Sequence, residues 1–118
     1  MFSLELEYNS KDVEKYFTNF NLLYKEKGQN LAKAVKKRVN QLMAAKNFGD
    51  YRKTGLGKPH FLSGNLKGCV AISLTGNLRL IVMPVIDVSD FKYVDRCEKL
   101  IIKGVVDYHG QKEEWIIS

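Results

Sequence analysis

The chain has 118 residues, 45% of them hydrophobic and 27% charged, which fits one globular domain with a core that needs no disulfide or metal staples. This composition excludes a disordered chain. The longest apolar run, residues 78–88, is interrupted by Arg79, Pro84 and Asp87 and falls short of a bilayer span. A net charge of +6 favours a polyanionic partner through counterion release and gives no reason to expect a membrane.

At the start of the chain Phe2, Leu4, Leu6 and Tyr8 alternate with Ser3, Glu5 and Glu7, the period of a half-buried strand. The same stretch lacks a signal peptide's basic start and apolar stretch, so a cytosolic protein is expected. Asn9-Ser10 offers a helix cap. Val13, Tyr16, Phe17, Phe20 and Leu23/Tyr24 then recur at helical spacing up to Lys27-Gly28. Leu31, Ala34, Val35, Val39, Leu42 and Met43 form a second stripe, backed by Lys33, Lys36, Lys37 and Asn40. The pattern predicts a helical hairpin over roughly 11–26 and 29–46.

Residues 48–64 are punctuated by Gly49, Gly55, Gly57, Pro59 and Gly64 and read as irregular. Arg52, Lys53, Lys58 and His60 lie here, in a basic, glycine-rich loop able to approach phosphate. Leu66, Val70, Ile72 and Leu74 then alternate with Lys67, Cys69, Ala71 and Ser73. Thr75-Gly76-Asn77 signals a turn, and Leu78, Leu80 and Val82 alternate with Arg79, Ile81 and Met83. Pairing Leu74 with Leu78, Ile72 with Leu80 and Val70 with Val82 puts all six on one face and sets Arg79 opposite Ser73 on the other.

Beyond Pro84, residues 87–98 read as a loop or a short helix. Residues 99–109 carry Leu100, Ile101, Ile102, Val105 and Val106 and read as a further central strand. Residues 113–117 read as a last strand or a docked tail. The predicted fold class is α+β: an antiparallel β-sheet with an N-terminal helical hairpin packed on one face. Residues 1–118 are expected to form a single domain, with 110–118 read as a C-terminal extension. Cys69 and Cys97 read as reduced thiols. Without a CxxC or a Cys/His cluster, neither a metal site nor a cofactor is expected.

The stretch Leu62-Ser63-Gly64-Asn65-Leu66-Lys67-Gly68, followed by Ala71 to Leu80, resembles the core of RelE/HigB-type bacterial toxins. In that family a Leu-x-Gly-x-x-Lys-Gly segment leads into a strand, a turn with Asn or Gly, and a strand opening on Arg. Val105-Val106-Asp107-Tyr108-His109 resembles the family's closing strand, which in the HigB branch ends Asp-Tyr-His. The resemblance covers roughly residues 1–109. Two positions depart from it: Leu78 stands where an aromatic often precedes the arginine, and Ser73 where many members carry a second arginine. They bear on catalytic strength more than on fold.

The resemblance implies a RelE-like fold and metal-independent cleavage of messenger RNA at the ribosome's decoding site, by attack of a ribose 2′-OH on the adjacent phosphate. Such chemistry needs a base, an acid and cations for the developing charge. His109 suits the first two roles, with Asp107 two residues earlier to orient it. Arg79, and more weakly Lys67, suit the phosphate, and Tyr108 can stack on a base or bond a phosphate. Arg52, Lys53 and Lys58 are general RNA contacts. Each residue also has a plain reading: Arg79 as a solvated residue on an open sheet face, and the others as a polar strand end or surface cations. The implied partners are messenger RNA on the ribosome, including ribosomal RNA, and a cognate antitoxin protein. Two alternatives remain open: a ParE-like inhibitor of DNA gyrase, and a non-catalytic RNA- or ribosome-binding module of the same fold.

Overall fold

The alternating stretches at the start and in the second half of the chain become a six-stranded sheet in the computed structural model, which describes residues 3–86, 93–110 and 112–118. Strand β1 spans Glu5–Tyr8, β2 His60–Phe61, β3 Val70–Ser73, β4 Leu78–Pro84, β5 Lys99–His109 and β6 Lys112–Ile117. The order across the sheet is β1-β5-β4-β3-β2, with β6 also paired to β5. The β3–β4 hairpin takes the predicted register: Val70 faces Val82, Ile72 faces Leu80 and Ser73 faces Arg79. Burial of the Val70, Ile72, Leu80 and Val82 side chains on one face fixes that register.

The helices are α1 (Lys11–Thr18), α2 (Phe20–Lys27), α3 (Gln29–Met43) and α4 (Phe48–Thr54). Ser10 caps α1 by accepting from Val13 N at 3.1 Å, as its position suggested. The first arm of the predicted hairpin is split, because the Asn19 side chain accepts from Leu22 N and starts a new helix. Gly28, at φ +97°, makes the turn into α3. Val13, Phe17, Leu23, Val35 and Leu42 pack onto the same sheet face as Leu80, Ile102 and Val105. Tyr24 and Met43, read as part of the apolar stripes, are instead exposed.

Four further expectations are corrected. The stretch from Phe48 is not irregular: Asn47 caps α4 by accepting from Asp50 N, and Phe48 and Tyr51 fill the core. Strand β1 pairs with β5 in parallel, so the sheet is antiparallel except at that pair. Leu66 does not share a face with Val70, since residues 64–66 form a single 3-10 turn before β3 begins. The second face of the sheet is not open to water throughout. Cys69, Ala71, Ile81 and Val106 are buried there under Leu62, Leu66, Met83 and Tyr108. Of the segment read as a loop or short helix, residues 93–96 form a 3-10 turn and 87–92 lie outside the described residues, as does Phe2. Among the described residues no helix is long and apolar enough to cross a membrane.

Strand β5 organises the sheet. Strand β4 runs along one of its edges, while β1 and β6 share the other. Between Ile102 and Gly104 the pairing with β4 slips by one residue, leaving Lys103 as the extra residue of a bulge. Gly104 sits at φ +142°, and a Cβ there would lie 1.9 Å from the Ile117 carbonyl oxygen. Glycine is therefore required both by the backbone angle and by the close approach of β6. Gly104→Ala is expected to destabilise the fold by roughly 3 kcal/mol. Gly76→Ala, at φ +53° with open space around it, is expected to cost only about 1 kcal/mol. Urea denaturation of both variants checks this, and equal losses would contradict it.

Candidate functional site

The bulge decides which side chains of β5 share a face. Before it, Leu100 and Ile102 point to the helices; after it, Val105 does so and Val106 points the other way. Alternation then carries Asp107 and His109 to the helix side and Tyr108 to the second face. Arg79 pairs with Val106, and Ser73 pairs with Arg79, so both lie on that second face with Tyr108. Of the five predicted catalytic residues, Arg79, Tyr108, Asp107 and His109 lie at one end of the sheet but are divided by the pleat, while Lys67 precedes the opposite, Val70 end of β3. Arg79 and Tyr108 sit on one face, the Asp107–His109 pair on the other.

His109 Nε2 lies 3.0 Å from Asp107 Oδ2, with the imidazole 59% exposed and the carboxylate only 23%. The contact orients the ring. Asp107 Oδ1 is buried with no hydrogen-bond partner among the described residues. Leaving such an acceptor unpaired costs on the order of 1–3 kcal/mol. The carboxylate's geometry is thus set by strand position, with only one oxygen engaged by a neighbour.

Arg79 is folded back onto its own hairpin, its Nη1 donating to Gly76 O at 2.9 Å and Leu78 O at 3.0 Å. One bond ends on the turn carbonyl of Gly76 and the other on the carbonyl of Leu78 at the start of β4, which also accepts from Leu74 N, and an anion can draw the guanidinium away from both. Tyr108 packs against the buried cluster formed by Cys69, Ala71, Ile81 and Val106. Burial pushes its phenol above the usual tyrosine range, the Glu113 carboxylate pushes it further up, and the Arg79 guanidinium pulls it down. Tyr108 therefore stays a neutral donor at physiological pH, within electrostatic reach of Arg79.

Lys67 follows the 3-10 turn of residues 64–66, whose Leu66 packs on the second face. The lysine is exposed, and no described contact joins it to Arg79 or Tyr108. Arg52, Lys53 and Lys58 form a separate group. They line one shallow depression with Gly49, Gly55, Pro59 and Asp95. Arg52 is already engaged there, 2.6 Å from Asp95 and stacked 4.9 Å over the Phe61 ring. Phe61 belongs to β2, at the sheet edge opposite β5 and β6, so these cations do not adjoin Arg79.

Sequence reasoning passed over two residues near this surface. Arg38 of α3 donates from Nε to Ser73 O at 2.8 Å and from Nη1 to Gln41 Oε1, tying the helix layer to the strand beside Arg79. Its place within a polar helix face gave no signal. Glu113 stands directly opposite Tyr108, which only the β5–β6 register reveals. Among the described residues no group of three or more His, Cys, Asp and Glu is placed to hold a metal ion.

No protein-family model and no curated protein sequence matches the chain. Among solved structures it is similar to a chain of the YoeB–YefM complex from Staphylococcus aureus, with a TM-score of 0.54 and 17% identity over 90% of this chain and 97% of that one. The YoeB dimer from Staphylococcus aureus aligns at 17% identity over 90% of this chain and 97% of that one, with a TM-score of 0.49. The first likeness establishes the fold, which is α+β and RelE-like.

The electrostatic row on the second face has a direct check in the titration of Tyr108. Arg79→Ala removes the cation that lowers its pKa, so ionisation should move to higher pH. Glu113→Gln removes the charge that raises it, so ionisation should move to lower pH. The Tyr108 ring carbon signal followed by NMR against pH reads both. A titration unmoved in both variants would contradict the row.

Proposed function

We propose that this chain is the toxin component of a toxin–antitoxin pair and acts as a metal-independent endoribonuclease on messenger RNA held by the ribosome. The observation that carries the reading is the gathering of Arg79 and Tyr108 with the Asp107–His109 pair at one end of the β4–β5 ladder. The likeness in fold to a chain of the YoeB–YefM complex supports it, as does the excess of basic residues.

On this reading the scissile phosphate lies over the rim of the sheet, between the two faces. Arg79 leaves the Gly76 and Leu78 carbonyls and takes the phosphate oxygens, where negative charge builds up. Tyr108, kept protonated by its surroundings, donates to the same group or stacks on a base. His109, oriented by Asp107, takes the proton from the ribose 2′-OH as that oxygen bonds to phosphorus, or supplies one to the departing 5′-oxygen as its bond to phosphorus breaks. The products are a 2′,3′-cyclic phosphate and a free 5′-hydroxyl. Lys67, Lys53 and Lys58 add charge along the RNA, and Arg52 does so less because Asp95 neutralises it. The Lys33, Lys36 and Lys37 face of α3 meets ribosomal RNA, and an antitoxin segment covers the basic face or the sheet.

A second reading is a non-catalytic RNA- or ribosome-binding module. The division of Arg79 from His109 by the pleat favours it, as does Ser73 in place of a second arginine.

Single-turnover cleavage of messenger RNA on stalled ribosomes separates the two. On the nuclease reading, Arg79→Ala slows cleavage by roughly a hundred- to a thousandfold, and His109→Ala by roughly a hundred- to ten-thousandfold. Circular dichroism should stay unchanged, since neither side chain is in the core. Ribosome binding without any cut supports the module instead. Wild-type rates in both folded variants would remove this site from the chemistry.

A further inference from the structure

The chemistry proposed above makes no use of β6, yet that strand completes the second face beside Arg79 and Tyr108. Glu113 stands opposite Tyr108 and Trp115 opposite Val106. Directly opposed residues of an antiparallel pair project to the same face, their Cβ atoms about 5 Å apart. From β4 to β6 this end of the sheet therefore presents a cation, a phenol, a carboxylate and, two residues further along β6, an indole. The strand is firmly anchored. Ile117 is buried in the core, and Gly104 leaves room for its carbonyl.

The two β6 side chains are unusual for their position. Trp115 is 36% exposed, one of seven large apolar side chains left on the surface among the described residues and the only one on β6. Glu113 is exposed, and no cation of the described residues pairs with it. Charge on an edge strand discourages sheet-to-sheet association, and Lys112 and Glu114 serve that need equally well. That need does not account for an exposed indole. A carboxylate beside a nucleic-acid site repels phosphate, so its value there must lie in what it accepts.

A carboxylate only accepts hydrogen bonds. Among the four RNA bases, guanine alone offers two adjacent N–H donors, N1–H and the N2 amino group, on its pairing edge. Adenine, cytosine and uracil each offer one. An unpaired base is read by stacking on an aromatic ring and by hydrogen bonds to that edge. We propose that β6 builds a guanine-recognition subsite, in which an unpaired guanine stacks on Trp115, its N1–H and N2–H donate to the Glu113 carboxylate, and Arg79 holds the neighbouring phosphate. This rests on the reading of the second face as RNA-binding.

Trp115 is the only tryptophan in the chain, so its fluorescence reports stacking directly. The full-length protein is titrated with five-nucleotide RNAs carrying 2′-deoxy sugars to block cleavage, with guanine, adenine, cytosine or uracil at the central position. The guanine oligonucleotide should quench Trp115 and bind at least about tenfold more tightly than the others. Glu113→Gln should abolish most of that preference, whereas Arg79→Ala should weaken all four to a similar degree and keep it. Near-UV circular dichroism confirms that the variants are folded. Equal affinity for all four bases, a preference surviving in Glu113→Gln, or binding without quenching would each overturn the subsite. Ribosomal cleavage with no guanine preference in either assay defeats this inference and leaves the nuclease reading standing. A guanine preference in a protein that never cuts does the reverse.

Discussion

The bulge at Lys103–Gly104 is the constraint on which the rest of this surface depends. Strand β5 is eleven residues long and pairs with β4 along one edge from Leu100 to Asp107 while handing the other from β1 to β6. The handover falls at Gly104, where the backbone of Ile117 comes too close for any side chain. The extra residue also reverses the phase of the strand. Without it, Val106 and Tyr108 would face the helices, and Asp107 would share a face with Arg79. With it, Val105 fills the core, Tyr108 joins Arg79, and Asp107 and His109 come to the helix-side rim. A backbone feature buried in the sheet thus sets which chemical groups each face offers.

Charge is unevenly spread over this frame. Residues 11–43, which make up α1, α2 and α3, hold eight of the lysines and arginines against three acids. The sheet end carries fewer cations, mixed with Asp107, Glu113 and Glu114. Such a division suits two tasks. A strongly basic helix layer attracts a polyanion over a long range and with little selectivity. A mixed face with aromatic rings discriminates at contact. Arg52 belongs to neither, being held by Asp95 and Phe61 as a brace between α4 and the far edge of the sheet.

Much of the fold was legible because local patterns and burial agree. The Thr75-Gly76-Asn77 turn between two alternating runs specified the β3–β4 register, and it is the register found. The apolar run of 99–109 is a central strand, and 112–117 joins the sheet. Helix α4 escaped notice because three glycines lie within or just beyond it, while its evidence, the Asn47 cap and the Phe48/Tyr51 pair, is spread over few residues. The parallel pairing of β1 has no local signature, since it joins segments more than ninety residues apart. The candidate site was legible in composition but not in orientation. Asp107 and His109 share a face as their spacing required. The relation of that face to Arg79 depends on a one-residue slip, which Gly104 inside an apolar run hinted at without fixing the phase. Glu113 was invisible as a site residue because its meaning comes only from standing opposite Tyr108.

The central claim is that RNA is engaged at the β4–β5–β6 end of the sheet. Amide and side-chain NMR shifts of the protein with and without a short, uncleavable single-stranded RNA test it most directly. The account predicts the largest changes at Arg79, Tyr108 and Trp115, with His109 affected from the rim and smaller changes over the lysines of α3. Changes confined to Lys33, Lys36, Lys37 and their neighbours, with Arg79 and Tyr108 unmoved, would contradict it.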